Sequence, residues 1–308
     1  MLGTDFPFAD FLPREKVKTI QVDRHPGHLG RRAPLALGVV GDVAATLRAL
    51  APMVKDKHDD HFLRRHLKQT EDAQKRRGHY VTKGPGIKPI RPEYVAAVLS
   101  ELADDDAVFT VDTGTPCIWA ARHISYGRDR RMIGSSTWAS MANASPYAFG
   151  AALAFPGRQV IALCGDGGFT MLGLGDLLTQ VQRKARVVNV IFNNGMLDFV
   201  HLEQQEAGMD PFGTDFVNPD FSQVAAALGA RGIRVEEPDD VRGALQTALG
   251  HTDGPVVVDM VVDPNALSLP SHTPGATVKN FTLSLAKQVV HGNLDDVIET
   301  AEHNVELL

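Results

Sequence analysis

The chain has 308 residues, of which 44% are hydrophobic and 22% charged, and its net charge is −6. That length suits about two domains of ordinary size. The composition suits a soluble globular protein with a sizeable core, and the acidic balance excludes the basic footprint of a nucleic-acid binder. The two cysteines, Cys117 and Cys164, lie far apart and form no CxxC pair. Neither a disulfide framework nor a zinc knuckle is expected, and a reduced, cytoplasmic protein is. The opening residues MLGTDFPFADFLPREK lack the basic and apolar regions of a signal peptide. No apolar run approaches the roughly 18 residues of a membrane span.

In chain order, residues 17–23 (VKTIQVD) predict a short buried strand and residues 42–54 a helix capped by Asp42, with Val43, Leu47 and Leu50 on one face. A strand and a helix cannot bury a core alone, so residues 1–54 read as the tail of an α/β domain. Residues 55–77 are highly charged, with Phe62, Leu63 and Leu67 as the apolar anchors, and predict a solvated helix. GHYVTKGPGIKP (78–89) reads as a Gly- and Pro-containing linker, so that 55–89 as a whole joins two domains. From residue 90 to 265 an α/β rhythm sets in. Helices are expected near 92–103, 141–154, 175–184, 221–229 and 239–250, and strands at 107–112, 159–166, 186–194 and 255–263. Apolar strands alternating with helices imply a parallel sheet covered by helices on both faces. Residues 266–308 form a helical tail. Within it 293–308 place Leu294, Val297, Ile298, Ala301, Val305 and Leu308 at helical spacing opposite an acidic face.

The sharpest chemical signal is Gly165-Asp166-Gly167, followed after 25 residues by Asn193-Asn194. Each motif ends an apolar strand, and in open α/β sheets ligands sit outside the carboxyl ends of the strands. A carboxylate, an amide oxygen and a backbone carbonyl make an oxygen-only set suited to Mg²⁺, which is commonly completed by phosphate oxygens and water. Gly165, Gly167 and Gly168 let the backbone approach a diphosphate with peptide N–H groups pointing at it. Of the twelve histidines, His58, His61 and His66 sit among Lys, Arg and Asp in the charged segment and read as a solvated face.

The whole pattern of apolar strand, GDGGF, helix, apolar strand and NN resembles the signature of the thiamine-diphosphate enzymes. The resemblance implies that Asp166 and Asn194 are Mg²⁺ ligands, with the carbonyl of Met196, and that Gly167 and Gly168 contact the diphosphate. Gly195, Leu197, Asp198, Phe199 and Val200 belong to the same stretch, NNGMLDFV (193–200). In GSSTWASMANASPYAFGAA (134–152), Met141 matches the residue that wedges beneath the cofactor, and Ala139 and Ser140 match backbone contacts to its pyrimidine. In DTGTPCIWAARH (112–123), Gly114 and Thr115 lie near the diphosphate by the same resemblance. Further matches run along nearly the whole chain and are closest to the quinone-linked pyruvate dehydrogenases, or pyruvate oxidases. LGTDFPF (2–8), with Asp5, Phe6 and Pro7, resembles a flavin-binding turn, Asp23 a strand-end acid meeting FAD, and Phe199 a catalytic phenylalanine that moves on activation.

The resemblance implies oxidative decarboxylation of pyruvate, or another small 2-oxo acid, to acetate and CO₂. Electrons would pass through FAD to a quinone, on a protein peripheral at the inner face of the cell membrane. It also implies a homo-oligomer, or a partner chain supplying the pyrimidine-binding domain and its activating glutamate. This chain matches only the later part of the family pattern and is expected to be inactive alone. Acetolactate synthase or another 2-oxo-acid enzyme, and a non-catalytic thiamine-diphosphate-binding fragment, are the alternatives. Two departures stand out. MLGLGDL (171–177) is one residue longer than the usual run, and Ala9 stands where the family often has Arg.

Overall fold

The computed structural model describes residues 1–4, 12, 17–127, 129–268 and 275–304, the side chains of residues 76 and 77 excepted. The expected flavin-turn residues Asp5, Phe6 and Pro7, together with Ala9, Val305 and Leu308, lie outside the described residues. The chain packs as two compact units, Met1–Thr70 and Glu71–Leu308.

In the first unit β1 (Ile20–Asp23) pairs in parallel with β2 (Leu37–Val40), Ile20 opposite Leu37. Helix α1 (Val43–Leu50) starts where Asp42 accepts a 2.8 Å hydrogen bond from the Ala45 N–H, which satisfies one of the orphan amides of the first turn. Helix α2 (His61–Thr82) begins here and is exposed over most of its length, with surface pairs such as Lys75–Glu71 at 2.7 Å. It runs through residues 78–82, which the sequence places in a linker. The reason is tertiary: Tyr80 is buried, with the Arg91 guanidinium 4.1 Å from its ring centroid.

Among the described residues the second unit holds six parallel strands in the order β4-β3-β5-β6-β8-β7. Its elements run α3 (Pro92–Leu102), β3 (Val108–Val111), α4 (Thr115–His123), β4 (Arg131–Gly134), α5 (Ala144–Ala154) and β5 (Val160–Gly165). The chain then forms the single turn α6 (Asp166–Gly168), a π turn (Phe169–Gly173) and α7 (Leu174–Gln182). After these come β6 (Val188–Asn193), α8 (Asp198–Glu206), α9 (Phe221–Ala227), β7 (Arg231–Val235), α10 (Val241–Leu249) and β8 (Val256–Val261). Helices α11 (Gly275–Val290) and α12 (Leu294–His303) follow the sheet.

Side chains alternate between the two faces of each strand. Ile161 and Leu163 of β5 pack with residues of α3, α4 and α10, whereas Val160, Ala162 and Cys164 pack with those of α5, α7 and α9. The result is a parallel sheet covered on both faces, preceded in the chain by the small two-strand unit. The central strands β3, β5, β6 and β8 are buried almost throughout, which is why they read as continuous apolar runs. The outer strands β4 and β7 were not expected from the sequence. They are short and half-exposed, and their RMIG and RGIRV sequences carry no clear alternation. The run 171–177, in which the sequence leads one to expect an extra residue, overlaps the π turn Phe169–Gly173 inside an otherwise helical segment.

Helix α12 is fastened to the second unit. Thr300 Oγ1 donates to Asn265 Oδ1 (2.8 Å), Asn304 Nδ2 to the Asn265 carbonyl (2.6 Å), and buried Arg91 to the His303 carbonyl (3.1 Å). Among the described residues no helix is long and apolar enough to cross a membrane.

Candidate functional site

The sheet order creates a switch point. From β3 the chain moves outward to β4, then returns to β5 on the opposite side of β3 and continues to β6. The loops leaving β3 and β5 therefore diverge at their carboxyl ends, and a crevice opens between them. A cleft of about 220 Å³ lies there. Gly114 and Thr115 line it from the β3 loop, Asp166, Gly167 and Gly168 from the β5 end, and Ala139 and Met141 from the segment before α5. Asn194, Met196, Leu197, Asp198, Phe199 and Val200 complete the wall after β6. Sequence stretches spread over almost ninety positions thus meet around one space. Ser140 and Gly195 sit beside lining residues. The Ser140 N–H donates to Ser135 Oγ (3.1 Å) and the Gly195 N–H to Asp166 (2.7 Å). Asp23 lies in the first unit, where its buried carboxylate accepts from the His25 N–H (2.8 Å) with His28 Nδ1 at 3.4 Å.

Three helical N-termini open on the cleft. Gly114 caps α4, α6 begins at Asp166, and Leu197 caps α8. Unpaired N–H groups and the positive ends of helix dipoles make such a place favourable for an anion. The glycines provide room: a Cβ on Gly168 would stand 2.7 Å from Asp112 Oδ2, and one on Gly167 would stand 2.8 Å from Leu197 Cδ2. Ala139 and Ala142 both adopt left-handed backbone, with φ of 49° and 62°, on either side of Met141. Non-glycine residues pay for that conformation, and it persists where the surroundings impose it.

The acid groups point to a cation. Asp166 is buried and accepts from the N–H groups of Gly167 (2.8 Å), Asn194 (3.0 Å) and Gly195 (2.7 Å), and from Asn218 Nδ2 (2.8 Å). Burial raises its pKa, against the pull of those donors. Burial also pushes the Asp198 carboxyl up to about 7; the Thr115 hydroxyl opposes this, and the charges of Asp166 and Asp263 add to it. Asn194 Nδ2 reaches Asp198 (3.4 Å), and its Oδ1 accepts from the Met196 N–H at 3.3 Å. Asp166, Asp198 and Glu203 line the cleft, and no Lys, Arg or His does so among the described residues. A surface rich in anion-binding amides yet carrying three carboxylates suits an anionic ligand bridged by a divalent cation. The oxygen donors fit a hard ion such as Mg²⁺. The other wall, with Met141, Phe192, Leu197 and Phe199, is apolar and suits an organic ring.

Three neighbours were missed in the sequence. Glu203 follows Phe199 by one helical turn. Asp112 closes β3, and its carboxylate accepts from the N–H of Ala144 (2.8 Å) and of Gly165 (3.1 Å), joining the two loops. Asn218 stands in a loop, and its only sequence signal is polarity before Pro219.

Residues 112–260 match the family described as thiamine pyrophosphate enzyme, C-terminal TPP binding domain. Over that stretch the chain is similar to the C-terminal domain of the thiamine-diphosphate enzymes. Among individual proteins, a thiamine pyrophosphate-containing protein of Bacillus subtilis (strain 168) is 38% identical over 93% of this chain and 49% of its own length. Pyruvate oxidase of Lactiplantibacillus plantarum is 29% identical over 85% of this chain and 43% of its own length. Acetolactate synthase of Mycobacterium bovis is 32% identical over 90% and 46%. The chain spans about half the length of the curated relatives it matches. In structure it resembles a thiamine diphosphate-dependent 4-hydroxybenzoylformate decarboxylase of Rhodococcus jostii RHA1, with a TM-score of 0.65 and 22% identity over 82% of this chain and 45% of that one, which is a likeness of fold.

Proposed function

We propose that this chain supplies the diphosphate- and magnesium-binding half of an enzyme acting on pyruvate or a similar small 2-oxo acid. The observation that carries this reading is the switch-point cleft, where three helical N-termini meet buried Asp166 and half-buried Asn194 and, among the described residues, no basic side chain lines the wall. Asp166, Asn194 and the Met196 carbonyl would hold Mg²⁺, the amides of Gly167, Gly168, Gly114 and Thr115 the diphosphate, and Met141 the underside of the bent cofactor. Bound thiamine diphosphate supplies an electron sink that lets a 2-oxo acid lose CO₂. The chain's own residues position and exclude: Leu197, Phe199 and Val200 keep water from the reacting end, and Asp112 and Asp166 tie the loops that set the cleft's width.

The specific reaction we favour is oxidative decarboxylation of pyruvate to acetate, with electrons passed to FAD and then to a quinone. It is supported by the likeness to pyruvate oxidase along 85% of the chain. The comparable likeness to acetolactate synthase, 32% over 90%, supports a second reading, condensation instead of flavin reduction. A partner chain or second copy bringing the pyrimidine-binding domain is part of the proposal. Trp138, 87% exposed, together with Tyr147, Leu153, Met171 and Leu172, leaves an apolar surface on the segments that border the cleft.

The test mixes the chain with pyruvate, thiamine diphosphate, Mg²⁺ and FAD, without and with a pyrimidine-domain chain, and follows an artificial electron acceptor. Turnover is expected only with the second chain and is expected to vanish in Asp166→Ala. Acetolactate without acceptor reduction would favour the synthase. Turnover that survives Asp166→Ala would sink both readings.

A further inference from the structure

The carboxylate of Asp166 is bonded unevenly. Its Oδ2 accepts three hydrogen bonds, from the Asn194 N–H, the Gly195 N–H and Asn218 Nδ2, whereas Oδ1 accepts one, from the Gly167 N–H. An oxygen surrounded by three donors has no free direction for a cation, but one with a single donor does. The third donor on Oδ2 comes from outside the motif. Residues 214–216 run back alongside 195–197, with Leu197 N–H to the Thr214 carbonyl (2.8 Å) and Phe216 N–H to the Gly195 carbonyl (2.9 Å). This return brings Asn218 to Asp166.

The Asn218 amide is itself held in one orientation. Its Nδ2 donates to Asp166 Oδ2 (2.8 Å) and also to Asn193 Oδ1 (2.9 Å). Its Oδ1 is buried without a partner. Flipping the amide would set that oxygen against two acceptors, so the structure keeps an unsatisfied oxygen to preserve the two donor bonds. Asn193 cannot reverse either, because its Nδ2 donates to buried Asp259 Oδ1 (2.8 Å). Asp259 is fixed in turn by Arg234 Nη1 (2.5 Å) and the Phe221 N–H (3.1 Å) on its other oxygen. The series runs from the outer strand β7 through β8 and β6 to the cleft, and each amide has only one workable orientation.

We infer that Asn218 is a positioning residue for the metal-binding carboxylate: oriented by Asp259 through Asn193, it saturates Asp166 Oδ2 and so leaves Oδ1 as the oxygen that meets the cation. This rests on the reading of Asp166 and Asn194 as a cation site. Asn218 and Asp259 are new assignments, and so is the first asparagine of the Asn193-Asn194 pair in this role. Hydrogen-bond partners that orient a ligand typically change metal affinity by about 10–100-fold when removed.

The experiment titrates Mn²⁺ into the chain with excess thiamine diphosphate and reads free Mn²⁺ by electron paramagnetic resonance. Asn218→Ala is expected to raise the Mn²⁺ Kd by about 10–100-fold, with the metal-free melting temperature nearly unchanged. Asn193→Ala is expected to weaken binding less, and to add nothing in the Asn218→Ala background, because it acts through Asn218. A Kd for Asn218→Ala within about twofold of wild type, or effects of the two substitutions that multiply, would overturn the inference while leaving the cation site standing. Wild-type binding no tighter than that of Asp166→Ala would remove the cation site, and the inference with it. If Asn218→Ala does not fold, Asn218→Ser is measured against the same criteria.

Discussion

At the scale of single residues, Asp112 has the clearest consequence. Burial raises its carboxyl to about 6, although the Ala144, Gly165 and Asn143 amides favour the charged form. The folded chain therefore holds this proton more tightly than the unfolded chain. The stability it contributes is fully present below about pH 4 and is lost as pH rises through about 6. A shift of about two units corresponds to roughly 3 kcal/mol. Urea unfolding of wild type and Asp112→Asn, without metal, is expected to show the stability difference moving in favour of wild type by roughly 2–3 kcal/mol between pH 7 and pH 4.5. A pH-independent difference would mean that the buried carboxyl does not titrate in this window. Met141 was read from the resemblance of its stretch to the family, whereas Asp166 and Asn194 were legible in the sequence because each follows an apolar strand, so local pattern predicts its place. Asp112 and Asn218 were not, since what makes them matter is a partner 32 or 52 positions away.

At the scale of elements, the central strands and helices α3, α5, α7, α9 and α10 could be read from periodicity, with ends displaced by at most three residues, whereas α4 and α8 were not expected. Strands β4 and β7 lie at the sheet's edges, where half-exposed residues follow no strict alternation, and α2 is prolonged by the burial of Tyr80. The π turn Phe169–Gly173 gives an element-scale prediction. Deleting the exposed Leu172 should convert it to an ordinary helical turn, keep Leu177 buried and leave the melting temperature equal or higher. Inserting one alanine after Leu177 should instead rotate Gln180 away from its bonds to Ser145 (3.0 Å) and Asn189 (2.9 Å) and cost more than about 3 kcal/mol. Thermal melts of the two variants check this. A deletion as damaging as the insertion would mean that the π turn is not a simple accommodation of one residue.

At the scale of the whole molecule, the second unit leaves apolar side chains exposed on and beside two neighbouring helices: Tyr147 and Leu153 on α5, and Leu172 and Leu178 at the start and along the length of α7. Contiguous apolar patches usually mark contact surfaces. Light scattering is expected to show the purified chain self-associating, and the double substitution Leu153→Lys with Leu178→Lys is expected to render it monomeric with its circular dichroism unchanged. Monomeric wild type would remove the case for a homotypic contact on this face.

The charge of the cleft has a consequence for how it fills. Three carboxylates line the cleft and, among the described residues, no basic side chain does, so on the reading proposed above a divalent ion would offset their repulsion of a diphosphate held by the backbone amides. Diphosphate and metal would then raise each other's affinity by the same factor, as reciprocity requires. Occupancy would depend on the product of two concentrations, so a fall in free magnesium would empty the cleft even where the vitamin cofactor is plentiful.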